Sequence, residues 1–119
     1  MGSGDRRSYL HLSWSPDGKY IATGGYDGTV EVWNATTRDT ITTYRGHTAL
    51  ILTVTWSPEG KYIASGGEDH SVQIWRAATS GHILTYPGTS YINAATWAPQ
   101  GTLIASAGDD STVQVWQAE

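Results

Sequence analysis

The chain has 119 residues, a formal net charge of −4, six Trp, seven Tyr, and neither Cys nor Phe. The lack of cysteine excludes a disulfide framework or a thiolate metal site. Seven scattered Lys and Arg argue against a phosphate-tracking surface, and no apolar run nears the ~18–20 residues of a membrane-spanning helix.

Met1-Gly2-Ser3-Gly4 has no apolar signal-peptide core and reads, through residue 7, as a leader of the kind added to engineered chains. With no secretion signal, a cytoplasmic location is the expectation, and Asn34-Ala35-Thr36, which matches a glycosylation sequon, is not expected to act as one. The first strand is predicted over Tyr9–Ser13. Ser15-Pro16-Asp17-Gly18 then supplies turn chemistry. Strands follow at Tyr20–Gly24, Thr29–Trp33 and Thr40–Tyr44. The same order recurs as Ile51–Trp56, Tyr62–Gly66, Ser71–Trp75 and Ile83–Tyr86, and again as Ile92–Trp97, Leu103–Ala107 and Thr112–Trp116. Each is short, rich in β-branched or aromatic residues, and bounded by turn residues about 8–12 apart, which is the pattern of antiparallel all-β structure. The sum is eleven strands, with no fourth strand in the third group.

The three groups are one unit written nearly three times. Trp14-Ser15-Pro16-Asp17-Gly18 returns as Trp56-Ser57-Pro58-Glu59-Gly60 and Trp97-Ala98-Pro99-Gln100-Gly101, at intervals of 42 and 41 residues. Trp33, Trp75 and Trp116 keep the same intervals. Residues 14–37 and 56–79 agree at 15 of 24 positions, closer than long-drifted repeats would be, which suggests recent amplification or engineering. A period of about 40–45 residues with strand and turn signals marks a repeat architecture.

On these phrases, on Gly46-His47, and on the turns at Asp27, Asp69 and Asp110, the chain resembles the WD-repeat family of β-propellers from about Ser8 to Trp116. The resemblance implies three blades, each a twisted antiparallel sheet of four strands, packed radially about a channel. The units are placed at 8–48, 49–90 and 91–119, the last without its outer strand. The chain departs from the family pattern in carrying Asn34, Arg76 and Gln117 after the strand-ending tryptophans, where the family has Asp, and in keeping Gly-His once.

His47, Ser65 and Asp69 have the residue types of a nucleophilic triad. The resemblance implies a structural role instead. In the family, residues at these places form a hydrogen-bonded tetrad, here His47, Ser65, Asp69 and Trp75. Thr23, Asp27 and Trp33 form a partial copy with Asp5 in the His place, and Ser106, Asp110 and Trp116 form another with no His. Partial copies suit a stabilising device rather than a catalytic centre. His11, His47, His70 and His82 show no metal-ligand spacing. Glu68-Asp69 and Asp109-Asp110 lack the alternating ligands of a calcium loop. The glycine pairs Gly24-Gly25 and Gly66-Gly67 recur with the repeat and read as strand ends rather than a phosphate cradle. No catalytic residue, metal or cofactor is therefore expected. The candidate binding residues are those of the rim, Tyr26, Glu68 and Asp109, then Leu50 and Tyr91, then Leu52 and Asn93, where family members often meet protein partners.

Each blade must cover two faces, and stacked repeats need capped ends. The chain carries no polar cap, so self-association into a closed ring is expected. Three chains would give nine blades at about 40° each, and two would give six at about 60°. Rings of the resembled family mostly have seven or eight blades, and nine lies nearer to that range, so a homotrimer is favoured over a homodimer, with a fragment completed by other blades as the third reading. Leu12, Val30 and Val32 are expected on one free face, with Ile104, Val113 and Val115 on the other. The reading is a non-catalytic scaffold or interaction module. The alternative is an enzyme or small-molecule site in the channel of the assembled ring, and fold alone does not separate the two.

Overall fold

The computed structural model describes residues 9–118. It contains eleven strands: β1 Tyr9–Trp14, β2 Tyr20–Gly25, β3 Val30–Asn34, β4 Thr40–Tyr44, β5 Ile51–Trp56, β6 Tyr62–Gly67, β7 Ser71–Arg76, β8 His82–Pro87, β9 Ile92–Trp97, β10 Leu103–Gly108 and β11 Val113–Gln117. They form three antiparallel sheets in sequence order, β1-β2-β3-β4, β5-β6-β7-β8 and β9-β10-β11. The sequence places these strands to within about a residue, because glycine and proline punctuate them so regularly. Gly18, Gly60 and Gly101 close the first hairpin of each blade at φ of 74°, 80° and 85°, a left-handed conformation that glycine adopts without penalty. Their amides each donate back to Ser15, Ser57 or Ala98 at 2.9 Å. Among the described residues no helix is long and apolar enough to cross a membrane.

The fold depends on what each sheet shows to its neighbours. Residues paired across antiparallel strands share a face, and successive residues alternate. In the first blade Trp14, Ile21 and Trp33 are paired in register, as are Ser13, Ala22 and Val32. The first set makes a backward face with large side chains. The second belongs to a forward face that is smaller and flatter. Backward residues of the second blade pack on forward residues of the first in one core: Val54, Trp56, Ile63 and Trp75 against Ala22, Val30 and Val32. The next junction repeats the arrangement with Trp97 and Ile104 against Ala64, Val72 and Ile74.

Polar contacts mark the same register. The Trp56 indole Nε1–H donates to the Ser13 carbonyl at 2.9 Å, and that of Trp97 donates to the Thr55 carbonyl at 3.2 Å. The Val54 amide donates to His11 Nδ1 at 3.2 Å, and the Ala95 amide to Thr53 Oγ1 at 3.1 Å. Tyr44 of β4 stacks on Trp75 of the next blade at 4.6 Å and 2°. Tyr86 of β8 stacks on Trp116 at 4.7 Å and 26°. The two junctions are thus the same contact made twice, one repeat apart.

This geometry corrects the expected free faces. Val30 and Val32 are fully or almost fully buried at the junction with the second blade, and Ile104 is fully buried against it. Strand alternation puts Leu12 on the opposite face from Val32, and Ile104 on the opposite face from Val115. The uncovered backward face of the first blade instead exposes Leu12 and Trp14, and the uncovered forward face of the third exposes Val113 and Val115.

Gly24 and Gly66 are where the forward face comes closest to its neighbour. A Cβ on Gly24 would lie 2.3 Å from Ile51 Cγ2, and one on Gly66 would lie 2.7 Å from Ile92 Cγ2. Gly24→Ala should therefore wedge the first junction apart and cost roughly 1–3 kcal/mol, the usual range for overpacking. Urea unfolding of the variant beside the parent chain checks this.

Candidate functional site

The structure brings His47, Ser65, Asp69 and Trp75 together. Gly46 and His47 lie on the segment between β4 and β5, Ser65 in the middle of β6, Asp69 in the β6–β7 turn, and Trp75 near the end of β7. His47 Nδ1 lies 2.8 Å from Asp69 Oδ2, and His47 Nε2 lies 2.7 Å from Ser65 Oγ. The Trp75 indole N–H donates to the same Ser65 oxygen at 3.1 Å. One proton order satisfies every group: Trp75 N–H to Ser65 Oγ, Ser65 O–H to His47 Nε2, and His47 Nδ1–H to Asp69.

That order is also the order of donors in a nucleophilic serine site, and the two differ in access. Ser65 has no exposed surface, nor does the His47 side chain. The Ser65 oxygen also accepts the Trp75 indole N–H, so it is enclosed and its hydrogen-bonding capacity is used within the blade. The arrangement is a satisfied buried network, which holds one conformation. Among the described residues no buried side-chain nitrogen or oxygen lacks a partner.

Asp69 is the anchor. Burial pushes its carboxyl up, but the hydrogen bond from His47, together with the Ser71 hydroxyl and amide, more than offsets this and holds it down at about 2. Its second oxygen accepts both Ser71 contacts, at 2.9 and 3.2 Å.

Two members went unnoticed in the sequence. The Tyr44 hydroxyl donates to Gln73 Oε1, and the Gln73 amide nitrogen donates to the Gly46 carbonyl at 3.2 Å and to Ser71 Oγ at 3.1 Å. Burial, then the nearby Asp69 charge, pushes the Tyr44 phenol up to about 12. These contacts tie the outer strand of one blade to the tetrad of the next. The signal was present, since Tyr44 and Tyr86 recur one repeat apart, as do Gln73 and Gln114.

The partial copies behave as fragments of the same device. Trp33 donates to Thr23 Oγ1 at 2.8 Å, and Asp27 Oδ1 accepts from the Thr29 amide and hydroxyl. Asp5 lies outside the described residues. In the third blade Trp116 donates to Ser106 at 2.8 Å, while Thr89, in the histidine's place, donates to Asp110 at 2.7 Å. A small cavity lined by Thr89, Ser106, Asp110 and Gln114 remains where an imidazole would sit. The Thr112 hydroxyl, then Thr89, holds the Asp110 carboxyl down at about 2.

The rim residues fall into adjacent pairs rather than one cluster. The Glu68 amide donates to the Leu50 carbonyl at 2.9 Å, and the Asp109 amide to that of Tyr91 at 3.2 Å. The Asn93 side chain donates to the Asp109 carboxylate. Tyr26 and Tyr91 are exposed, whereas Leu50, Leu52 and Glu68 are partly covered. Among the described residues no group of His, Asp and Glu is placed to hold a metal ion.

The family model for the WD domain, G-beta repeat, matches the chain three times, over residues 3–34, 38–76 and 79–117. A 45-residue stretch is 40% identical to the Notchless protein homolog of Arabidopsis thaliana, covering 38% of this chain and 10% of that protein. Among solved structures, U3-55K superposes with a TM-score of 0.90 at 24% identity, over 96% of this chain and 37% of that one. The β-propeller domain of Cps50 (Swd1) from Myceliophteria thermophila gives 0.87 at 22% identity, over 92% and 35%. The chain thus spans little more than a third of each solved relative and a tenth of the curated one, and likeness at these identities shows the fold.

His47→Ala should leave Ser65 and Asp69 without their shared partner and lower the stability of the chain by roughly 1–3 kcal/mol. An unchanged melting curve would count against the network. The network is also acid-sensitive. The folded Asp69 titrates near 2 against an ordinary 3.8. Its contribution is therefore complete above about pH 4 and is lost as pH falls through about 2. Asp69→Asn should be less stable at neutral pH and show a shallower loss on acidification, as followed by tryptophan fluorescence.

Proposed function

The chain belongs to the WD domain, G-beta repeat family, and from that premise we propose that it is a non-catalytic propeller module. It closes its ring with further copies of itself and presents the rim to protein partners. One observation carries the reading: the junction between blades is made twice within the chain in the same register, and the two uncovered faces carry the same backward and forward side-chain pattern as the covered ones. Head-to-tail contacts of this kind form rings when the rotation per unit closes. The sealed state of the His47–Ser65–Asp69 set supports a scaffold rather than a hydrolase. For the rim, exposed Tyr26 and Tyr91, the acidic Glu68 and Asp109 at the turns equivalent to Tyr26, and net charge −4 favour a protein partner over nucleic acid.

Three chains with nine blades are the favoured stoichiometry, and two chains with six are the second. Light scattering coupled to gel filtration separates them. A trimer has a mass of about 39 kDa and a dimer about 26 kDa, as multiples of 12.9 kDa. Melting points should rise with protein concentration, as for any obligate oligomer. A well-folded 12.9 kDa species with a concentration-independent melting point would falsify the ring.

A further inference from the structure

We infer that the seam between copies is keyed by one hydrogen bond, from the Trp14 indole of one chain to the Thr96 carbonyl of a second copy. The inference rests on the ring reading above and specifies its contact. The internal junctions supply the rule. Trp56 Nε1 donates to the Ser13 carbonyl and Trp97 Nε1 to the Thr55 carbonyl. Ser13, Thr55 and Thr96 occupy one place in the repeat, as do Trp14, Trp56 and Trp97. One donor and one acceptor of this series remain, Trp14 on the first blade and Thr96 on the third. Their exposure agrees. Trp56 and Trp97 are 7% and 8% exposed, whereas Trp14 is 56% exposed, and Thr96 lies on the surface.

The side chains around the pair are matched as they are inside the chain. Leu12 and Trp14 are the bulky members of the backward face. The forward face of the third blade offers a shallow apolar hollow lined by Ala94, Thr96, Ala105, Ala107 and Val113. In register, Thr96 pairs with Ala105 and Ala105 with Val115, so the hollow is the third copy of the surface that Trp56 and Trp97 cover. A second copy of this chain is therefore the occupant with the fitting shape and the fitting hydrogen-bond donor.

The seam is weaker than the internal junctions at three points. The outer-strand tyrosine that stacks across each internal junction has no counterpart among the three described strands of the third sheet. The Val54 amide finds His11, and the Ala95 amide finds Thr53. The corresponding acceptor at the seam would be residue 94, an alanine, which has none. The seats that Gly24 and Gly66 open for Ile51 and Ile92 are filled by Ala107 in the third blade. The seam is left to the Trp14 end of the sheet.

Trp14→Phe keeps the ring and removes the donor, and Ala94→Thr restores the acceptor that Thr53 provides. Sedimentation velocity on the full chain and both variants, from about 0.1 to 100 µM, reads the association. Trp14→Phe should weaken each seam about tenfold, and Ala94→Thr should tighten it about three- to tenfold. The fluorescence difference between the parent and Trp14→Phe should shift to the blue as assembly buries the indole. If the parent assembles but neither variant changes its affinity, the seam register is overturned while the ring of copies stands. If the parent is monomeric throughout the range, both are overturned.

Discussion

A sheet that is apolar on both sides cannot stand alone, and every other feature of this chain follows from that. Strand alternation sorts each blade into a face of tryptophan and isoleucine and a face of alanine and valine. Buried apolar surface contributes about 25 cal/mol per Å², so the faces drive stacking. The indole N–H bonds then fix where the stack comes to rest. A tryptophan suits that place because it brings a large apolar area and one directional donor in a single side chain.

The tetrad solves a different problem. The segment that carries the chain from one blade to the next must be held against the β6–β7 turn at the same end of the sheet. Asp69 accepts from that segment through His47 and the Thr48 amide, and from its own turn through Ser71. Tyr44 and Gln73 extend the hold to the preceding blade. The third blade, with threonine for histidine, keeps the two ends of the chain of bonds and loses the middle.

Strand order and turn positions were legible because they repeat, and a repeat read three times averages out local ambiguity; the tetrad, complete only once, was legible through the family pattern that Gly46-His47, Ser65, Asp69 and Trp75 match. The faces were less legible. Val30 and Val32 look like free apolar residues when the first repeat is read alone. Only the pairing of Val32 with Ala22 and Ser13 puts them on the side that the second blade covers. Tyr44 and Gln73 escaped notice for a related reason. Each looks ordinary in its own strand, and their contact spans 29 residues and two blades. Repeat phase is written within one unit, whereas a junction is written across two.

The two faces of a blade also have different consequences for inheritance. Because the first and second junctions use the same forward and backward pattern, a duplicated unit inserted between them would arrive with both of its contacts already patterned. Blade number can then change by copying alone, without new chemistry at the boundary. The angle at which the units lean decides which numbers survive. Small departures from sameness, such as alanine for glycine at residue 107, give the copies a preferred order. They turn an interchangeable series into one with a recognisable first and last member.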